Sequence, residues 1–137
     1  MVRRYIILFA LVVVLVFLGV SCSSEDDSLE SSSVNGAILK TGAAINEQKE
    51  IIYEQVIFRA NEDIYFYFNN NLPFGSEQVF VQLIDSSNEK VLAESDYTVD
   101  PESTEITDMI YFGAPGKFKI AVIVDDQVRA TQELRIE

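Results

Sequence analysis

The sequence contains no histidine, no tryptophan and a single cysteine among its 137 residues. Without histidine, the chain cannot build a Ser-His-Asp or Cys-His nucleophile system, and it cannot ligate zinc or haem iron through imidazole. One cysteine cannot close an internal disulfide, so no disulfide framework supports the fold. These absences exclude several large classes of enzyme and of disulfide-rich secreted scaffold.

Basic residues are also scarce. Ten Lys and Arg stand against 22 Asp and Glu, which gives a formal net charge of −12 at pH 7. A chain this acidic is repelled by phosphate backbones, and its few basic residues form no cluster. We therefore expect no nucleic-acid partner. The length suits one domain of about 100 to 150 residues.

The first 21 residues have the pattern of a secretory signal peptide. Arg3 and Arg4 precede an uncharged, apolar run at residues 6–20. A helix of fifteen residues rises about 22 Å, which is less than a hydrocarbon core of about 30 Å. A positive flank, a short apolar run and small residues after it favour a cleaved signal over a permanent membrane span.

The end of this run carries a family resemblance. The segment Leu18–Cys22, LGVSC, resembles the lipobox of bacterial lipoproteins, where a small residue precedes the cysteine that becomes the lipidated first residue. The sequence departs from the usual pattern at Gly19, where Leu is common. The resemblance covers residues 1–22 and implies cleavage before Cys22 and its modification by acyl chains such as palmitate. An uncleaved membrane helix is the alternative.

Both alternatives place the rest of the chain outside the cytoplasmic membrane, because Arg3 and Arg4 stay on the cytoplasmic side. The resemblance to lipoproteins implies a lipid anchor at Cys22 in the bacterial cell envelope. Ser23 stands where an inner-membrane retention signal often has Asp, which favours the outer membrane or the cell surface. The first partner that we expect is therefore a membrane, bound through the lipid.

Residues 22–36 are predicted to form a flexible spacer. They are rich in Ser and acidic residues and nearly lack apolar ones, so they cannot bury enough surface to offset the entropy of ordering. The predicted organisation is a signal peptide at residues 1–21, this spacer, and one domain at residues 37–137.

From residue 37 onward, apolar residues alternate with a period near two, which predicts β-strands. The alternation is clearest near the C-terminus, where Asp125-Asp126-Gln127 connects two strands of a predicted hairpin. About eight short strands are predicted, at Ala37–Thr41, Tyr53–Arg59, Asp63–Asn69, Gln78–Asp85, Lys90–Ala93 with Tyr97–Val99, Glu105–Phe112, Phe118–Val124 and Val128–Glu137.

The segments IYFYF, VFVQLID and GKFKIAVIVDDQVRATQELRI, in this order, resemble immunoglobulin-like or fibronectin-III-like domains of bacterial surface proteins. The resemblance is one of pattern and spans about residues 37–137. Together with the strand spacing, it implies an all-β, immunoglobulin-like antiparallel β-sandwich of about seven to eight strands.

Carboxylates are the only abundant reactive side chains, and several lie around residues 96–108. Two of them could form a glycosidase pair, but a sandwich of this size seldom encloses the cleft that catalysis needs. A calcium site lacks any Asp-x-Asp-x-Asp-Gly run, and the clusters at residues 85–89 and 125–126 fit turns. We therefore expect no enzyme activity, no cofactor and no metal site. The carboxylates concerned are Asp96, Asp100, Glu102, Glu105 and Asp108.

Aromatic residues provide the other candidate site. The strand at residues 63–69 should turn Ile64, Phe66 and Phe68 toward the core, so Tyr65 and Tyr67 would point away from it. With Tyr111 they could form an exposed aromatic patch that binds a protein or a carbohydrate. The alternative is that these rings cover the back of a sheet. Phe74, in a Pro- and Gly-containing loop, is either a contact residue of this surface or a core residue.

The sequence thus favours a lipid-anchored envelope protein that displays a non-catalytic immunoglobulin-like binding or structural module. One alternative is an inhibitor or accessory subunit that docks on an envelope enzyme or transporter through an edge strand. The other is a carboxylate-dependent hydrolase, which the absence of histidine and the small size disfavour.

Overall fold

A computed structural model describes residues 28–137 of the chain, and every regular element in this range is a β-strand. The predicted signal peptide and the predicted lipidation site Cys22 lie outside the described residues. The ten strands are β1 (Ser31–Ser33), β2 (Ile38–Ile45), β3 (Ile51–Glu54), β4 (Ile57–Phe58), β5 (Asp63–Asn69), β6 (Gln78–Asp85), β7 (Lys90–Thr98), β8 (Glu105–Tyr111), β9 (Gly116–Val124) and β10 (Gln127–Ile136).

The strands form two sheets, which confirms the predicted all-β sandwich. The first sheet has the order β1-β10-β9-β6-β7, with β4 paired in parallel to β10. The second has the order β3-β2-β5-β8, and all its pairs are antiparallel. Alternate residues of the facing strands enter a shared core, as expected for two packed sheets.

The order of the strands is that of an immunoglobulin-like sandwich. Strands β2, β5 and β8 take the places of A, B and E in one sheet, and β10, β9, β6 and β7 take those of G, F, C and C′ in the other. Chain neighbours such as β5 and β6 lie in different sheets. The Greek-key connections that the fold requires follow from this order.

The core is built from the inward side of each alternating strand. In β5, Ile64, Phe66 and Phe68 are fully buried, while Tyr65 and Tyr67 between them are half-buried. Burying side chains of this size contributes about 1.5–3 kcal/mol each. The opposite sheet supplies partners from β6, β9 and β10, namely Val79, Val81, Leu83, Phe118, Ile120, Val122, Val124, Ala130, Leu134 and Ile136.

The prediction of one strand at Tyr53–Arg59 is wrong. The structure divides this segment into β3, which pairs with β2 in one sheet, and β4, which pairs with β10 in the other. Tyr53, inside β3, adopts a positive φ of 58°. Beyond it, the Gln55 amide donates to the Thr41 carbonyl oxygen at 3.1 Å and the chain crosses between the sheets.

Two other boundaries differ from the prediction. Part of the predicted spacer is ordered: Ser31–Ser33 pairs with β10, and the hydroxyls of Ser32 and Thr131 lie 2.7 Å apart. Pairing of the backbone orders a stretch whose side chains bury little. The two pieces predicted at residues 90–93 and 97–99 are one continuous strand, β7.

Candidate binding surface

The predicted tyrosines lie on the outer face of the second sheet. Register places Tyr67 opposite Lys40 and Thr107, Tyr65 opposite Met109, and Tyr111 opposite Asp63. Paired residues share a face of a sheet, and residues two apart on one strand do so as well. The structure therefore brings Tyr65, Tyr67 and Tyr111 to one face, as the alternation predicted.

Tyr67 is held in place by polar neighbours on this face. Its hydroxyl donates to the Glu105 carboxylate at 2.7 Å and accepts a hydrogen bond from Asn69 Nδ2 at 3.1 Å. Burial raises the pKa of Tyr67, and the hydrogen bond to Glu105 adds to the increase because the carboxylate disfavours a second negative charge. The Tyr67 hydroxyl therefore stays protonated at physiological pH, and its two hydrogen bonds fix the orientation of the ring.

An open pocket of about 910 Å³ lies beside this ring. Its walls come from β2, from the turn before β3, from β5 and from the segment that leads into β8. The volume is in the range of small-molecule sites, which measure about 300–1,000 Å³. The lining residues are Lys40, Gln48, Lys49, Glu50, Ile51, Tyr67, Glu102, Ser103, Thr104, Glu105, Ile106 and Thr107.

The pocket presents hydrogen-bonding groups and charges of both signs around one aromatic ring. Lys40 Nζ pairs with Glu54 at 2.5 Å, and the Thr107 hydroxyl donates to the Lys49 carbonyl oxygen at 3.3 Å. The turn itself is fixed because Asn46 Oδ1 accepts from the Glu50 amide at 2.9 Å. Such a lining suits a polar ligand, with the ring as an apolar contact.

Tyr65 and Tyr111 share the face but do not line this pocket. Tyr65 is half-buried, whereas Tyr111 is 60% exposed and donates to Asn61 Oδ1 at 2.9 Å. Met109 pairs with Tyr65, lies two residues before Tyr111 on β8, and is 40% exposed. The three residues form a second, more apolar part of the same surface.

Phe74 is a core residue. It is 4% exposed and stacks on Phe68 with ring centroids 6.3 Å apart and planes at 15°. Of the two predicted alternatives, contact residue or core residue, the assignment of Phe74 to the binding surface is therefore wrong. The loop turns the ring inward because its stacking partner, Phe68, lies near the end of β5.

The sequence reasoning missed the side chain that fixes this loop. Asn70 is 3% exposed, and its Nδ2 donates to the Leu72 carbonyl oxygen at 3.0 Å. Its Oδ1 accepts from Arg129 Nε, also at 3.0 Å. The run of three asparagines indicated a loop, but the contact with β10 depends on the tertiary fold.

The five carboxylates of residues 96–108 do not converge on one point. Glu102 and Glu105 line the pocket, whereas Asp96 is on an exposed strand and Asp108 accepts from the Tyr97 hydroxyl at 2.8 Å. Asp100 caps its own turn by accepting from the Glu102 amide. Within residues 28–137, no group of three or more acidic or cysteine side chains is placed to hold a metal ion.

The segment at residues 85–89 is a hairpin turn between β6 and β7, as predicted. Asp85 Oδ1 accepts from the Ser87 hydroxyl at 2.6 Å and from the Ser87 amide at 2.8 Å. These hydrogen bonds lower the pKa of Asp85, because they stabilise the charged form. The Asp85 carboxylate thus accepts hydrogen bonds from within its own turn.

Two solved structures are among those similar to the chain. One is a DUF3244 family protein with an immunoglobulin-like β-sandwich fold from Bacteroides vulgatus ATCC 8482. Its sequence is 16% identical, the match covers 57% of this chain and 85% of that one, and the TM-score is 0.39. The other is the PmoD soluble domain from Methylocystis sp. ATCC 49242 (Rockwell), with 9% identity, 74% and 90% coverage, and a TM-score of 0.46. No protein-family model and no curated protein matches the sequence. The described residues contain no helix long and apolar enough to cross a membrane.

Proposed function

We propose that this protein is a lipid-anchored, non-catalytic binding module of the bacterial cell envelope. The sandwich would be held at the membrane through acyl chains on Cys22, with the outer membrane or the cell surface as the favoured location. The acidic stretch after the cysteine would space the domain from the bilayer. Stable anchoring takes more than one acyl chain, because each buried methylene is worth about 0.8 kcal/mol.

The observation that carries the binding role is the pocket beside Tyr67. The ring is neutral and fixed by Glu105 and Asn69, while Lys40, Lys49 and Glu50 surround it with charges of both signs. A carbohydrate chain or a polar protein loop fits this combination of one ring face and several hydrogen-bonding groups. Non-catalytic binding is favoured because the carboxylates around residues 96–108 are dispersed.

Lipidation is tested by metabolic labelling with a fatty-acid analogue. The wild-type chain should take up the label, whereas Cys22→Ala should lose it and accumulate as the uncleaved precursor. Because the described domain begins after this position, the substitution should leave the sandwich folded. Label that persists in Cys22→Ala would rule out the anchor.

Binding is tested by placing a photo-crosslinking residue at Thr107, inside the pocket, in the full chain in living cells. The matched control carries the same residue at Thr131, which lies on the other sheet. A ligand of the pocket should be captured from position 107 and not from 131, and Tyr67→Ala should reduce its capture. Equal capture from both positions, or capture that Tyr67→Ala leaves unchanged, would contradict a site at this pocket.

A further inference from the structure

The outer edge of β7 is the longest sheet edge without a neighbouring strand in residues 28–137. It has nine residues, and eight of them are exposed, with Tyr97 half-buried. An unpaired edge presents amide and carbonyl groups that can pair with another strand. A bulge at Leu92 interrupts the register with β6, so the regular part of the edge is residues 93–98.

The hydrogen-bond register identifies which backbone groups face outward. The Val99 amide donates to the Glu77 carbonyl oxygen at 2.9 Å, on the side of β6. Antiparallel ladders alternate, so Tyr97, Ser95 and Ala93 also direct their backbone groups toward β6. The amides and carbonyls of Glu94, Asp96 and Thr98 therefore face the open edge.

The other three edges of the described sandwich are less suited to pairing. One edge is formed by β1 and β4 beside β10, with three and two residues, and β3 has four with a positive φ at Tyr53. β8 has seven, but its register with the buried Phe66 places Asp108 on the inner face, where the exposed carboxylate accepts from the Tyr97 hydroxyl. An inward-pointing charge is a recognised obstacle to the addition of a strand.

Charge and side-chain size indicate what β7 would accept. Glu94 and Asp96 lie on the outer face, opposite Gln82 and Phe80, and both are exposed. Ala93 and Ser95 lie on the inner face, opposite Leu83 and Val81, and both are small and exposed. An added strand would meet carboxylates on one face and open space on the other.

These features disfavour a second copy of this chain. Antiparallel pairing of two β7 strands centred on residues 94–96 would set Glu94 and Asp96 opposite each other or opposite themselves. Like charges directly opposite each other are destabilising. The net charge of −12 on each chain adds a long-range repulsion.

We propose that β7 is a docking edge for an extended segment of a partner protein with Lys or Arg on alternate residues and small or apolar residues between them. Backbone bonds to Glu94, Asp96 and Thr98 would supply affinity, and contacts with the carboxylates and with Ala93 and Ser95 would set the register. The proposal uses another face of the sandwich and does not depend on the pocket at Tyr67.

The proposal is tested with two peptides, Lys-Val-Lys-Thr-Lys-Val-Lys and the same sequence with Glu in place of Lys, added to isotope-labelled full chain in non-ionic detergent. The lysine peptide should shift the amide signals of Glu94 and Asp96 and protect them from hydrogen exchange. Its affinity should exceed that of the glutamate peptide by about tenfold or more, which corresponds to about 1.4 kcal/mol. Equal affinities, or protection at another edge, would overturn it.

Matched variants separate backbone pairing from charge. Asp96→Pro and Asp96→Ala both lose the carboxylate, but only the proline variant lacks the amide N–H that faces outward. Edge strands tolerate a proline at such a position. The proline variant should bind the lysine peptide about tenfold more weakly than the alanine variant, provided that both melt cooperatively; equal binding would overturn the proposal.

A charge-reversed chain keeps the test decisive if the proline variant does not fold. Glu94→Lys combined with Asp96→Lys retains every backbone group and should prefer the glutamate peptide. An unchanged preference would overturn the proposal. So would a wild-type dimer in sedimentation whose Glu94 and Asp96 amides are protected from hydrogen exchange without any peptide.

Discussion

The hydroxyl of Tyr97 donates a hydrogen bond to the carboxylate of Asp108 at 2.8 Å, which connects the edge strands β7 and β8 of the two sheets. The Tyr97 ring also meets Phe66 edge to face, with centroids 6.3 Å apart. One side chain thus reaches from the edge of one sheet into the core beneath the other. It limits how far the two sheets can separate on their open side.

Removing this hydroxyl should weaken the fold. Tyr97→Phe keeps the ring contact but leaves Asp108 without its donor, so we expect a loss of about 1 kcal/mol at pH 7. Denaturant unfolding measures the difference. Tyr67→Phe, which removes another half-buried tyrosine hydroxyl that donates to a carboxylate, is the matched control for losing a phenol in general.

The same variant should change the alkaline pH dependence of stability. Burial, and then Asp108, raise the pKa of Tyr97 above its ordinary value near 10. As the pH rises through that value, the unfolded chain releases the proton while the folded chain keeps it, so the free energy of unfolding falls. Between pH 9 and 11, Tyr97→Phe should show a shallower decline than the wild type; identical slopes would contradict this assignment.

Asn70 should contribute more to the free energy of unfolding than an exposed residue of the same loop does. Asn70→Ala removes the donor to Leu72 and leaves Arg129 Nε without its acceptor, so a loss of about 1–3 kcal/mol is expected. Leu72→Ala, in the same loop and 52% exposed, is the control. The interpretation fails if the two variants unfold at the same denaturant concentration.

Gly42 is required by the close approach of β3. A Cβ at this position would lie 2.8 Å from the Tyr53 carbonyl oxygen and would also meet the Ile51 side chain. Gly42→Ala should therefore destabilise the protein by about 1–3 kcal/mol, as overpacking does. Lys40→Ala, two residues earlier on the same face, should cost less than about 1 kcal/mol. A smaller effect at position 42 than at 40 would contradict the packing described.

The two roles predicted for aromatic residues can be separated by stability. Phe74→Ala should cost about 3–5 kcal/mol, because it empties a core site. Tyr111→Ala should change the free energy of unfolding by less than about 1 kcal/mol, because the ring is mostly exposed and its partner Asn61 remains solvated. Thermal melts of both variants measure this, and equal losses would contradict the burial assigned to Phe74.

Much of the sandwich could be predicted from alternation alone. Side chains in β5 and β10 take opposite faces as the period of two requires, and this placed Ile64 inward and Tyr67 outward. The break between β3 and β4 could not be predicted, since it depends on pairing β3 with β2 in one sheet and β4 with β10 in the other. The pairing of Ser31–Ser33 with β10 depends on backbone groups, which leave no hydrophobic pattern.

The candidate site was predicted only in part, for a related reason. Alternation identified the face on which Tyr65, Tyr67 and Tyr111 lie. The partners that shape the pocket come from residues 48–51 and 102–107, and only the register of β2, β5 and β8 brings them together. Register depends on long-range pairing, which a single sequence does not specify.

The most direct measurement of the central claim is the intact mass of the protein extracted from the membranes of its own host. A chain that begins at Cys22, with a mass increased by acyl groups on that residue, is the predicted result. A chain that retains Met1 and carries no lipid would contradict the account, because the sandwich would then have no acyl anchor to hold it in the envelope.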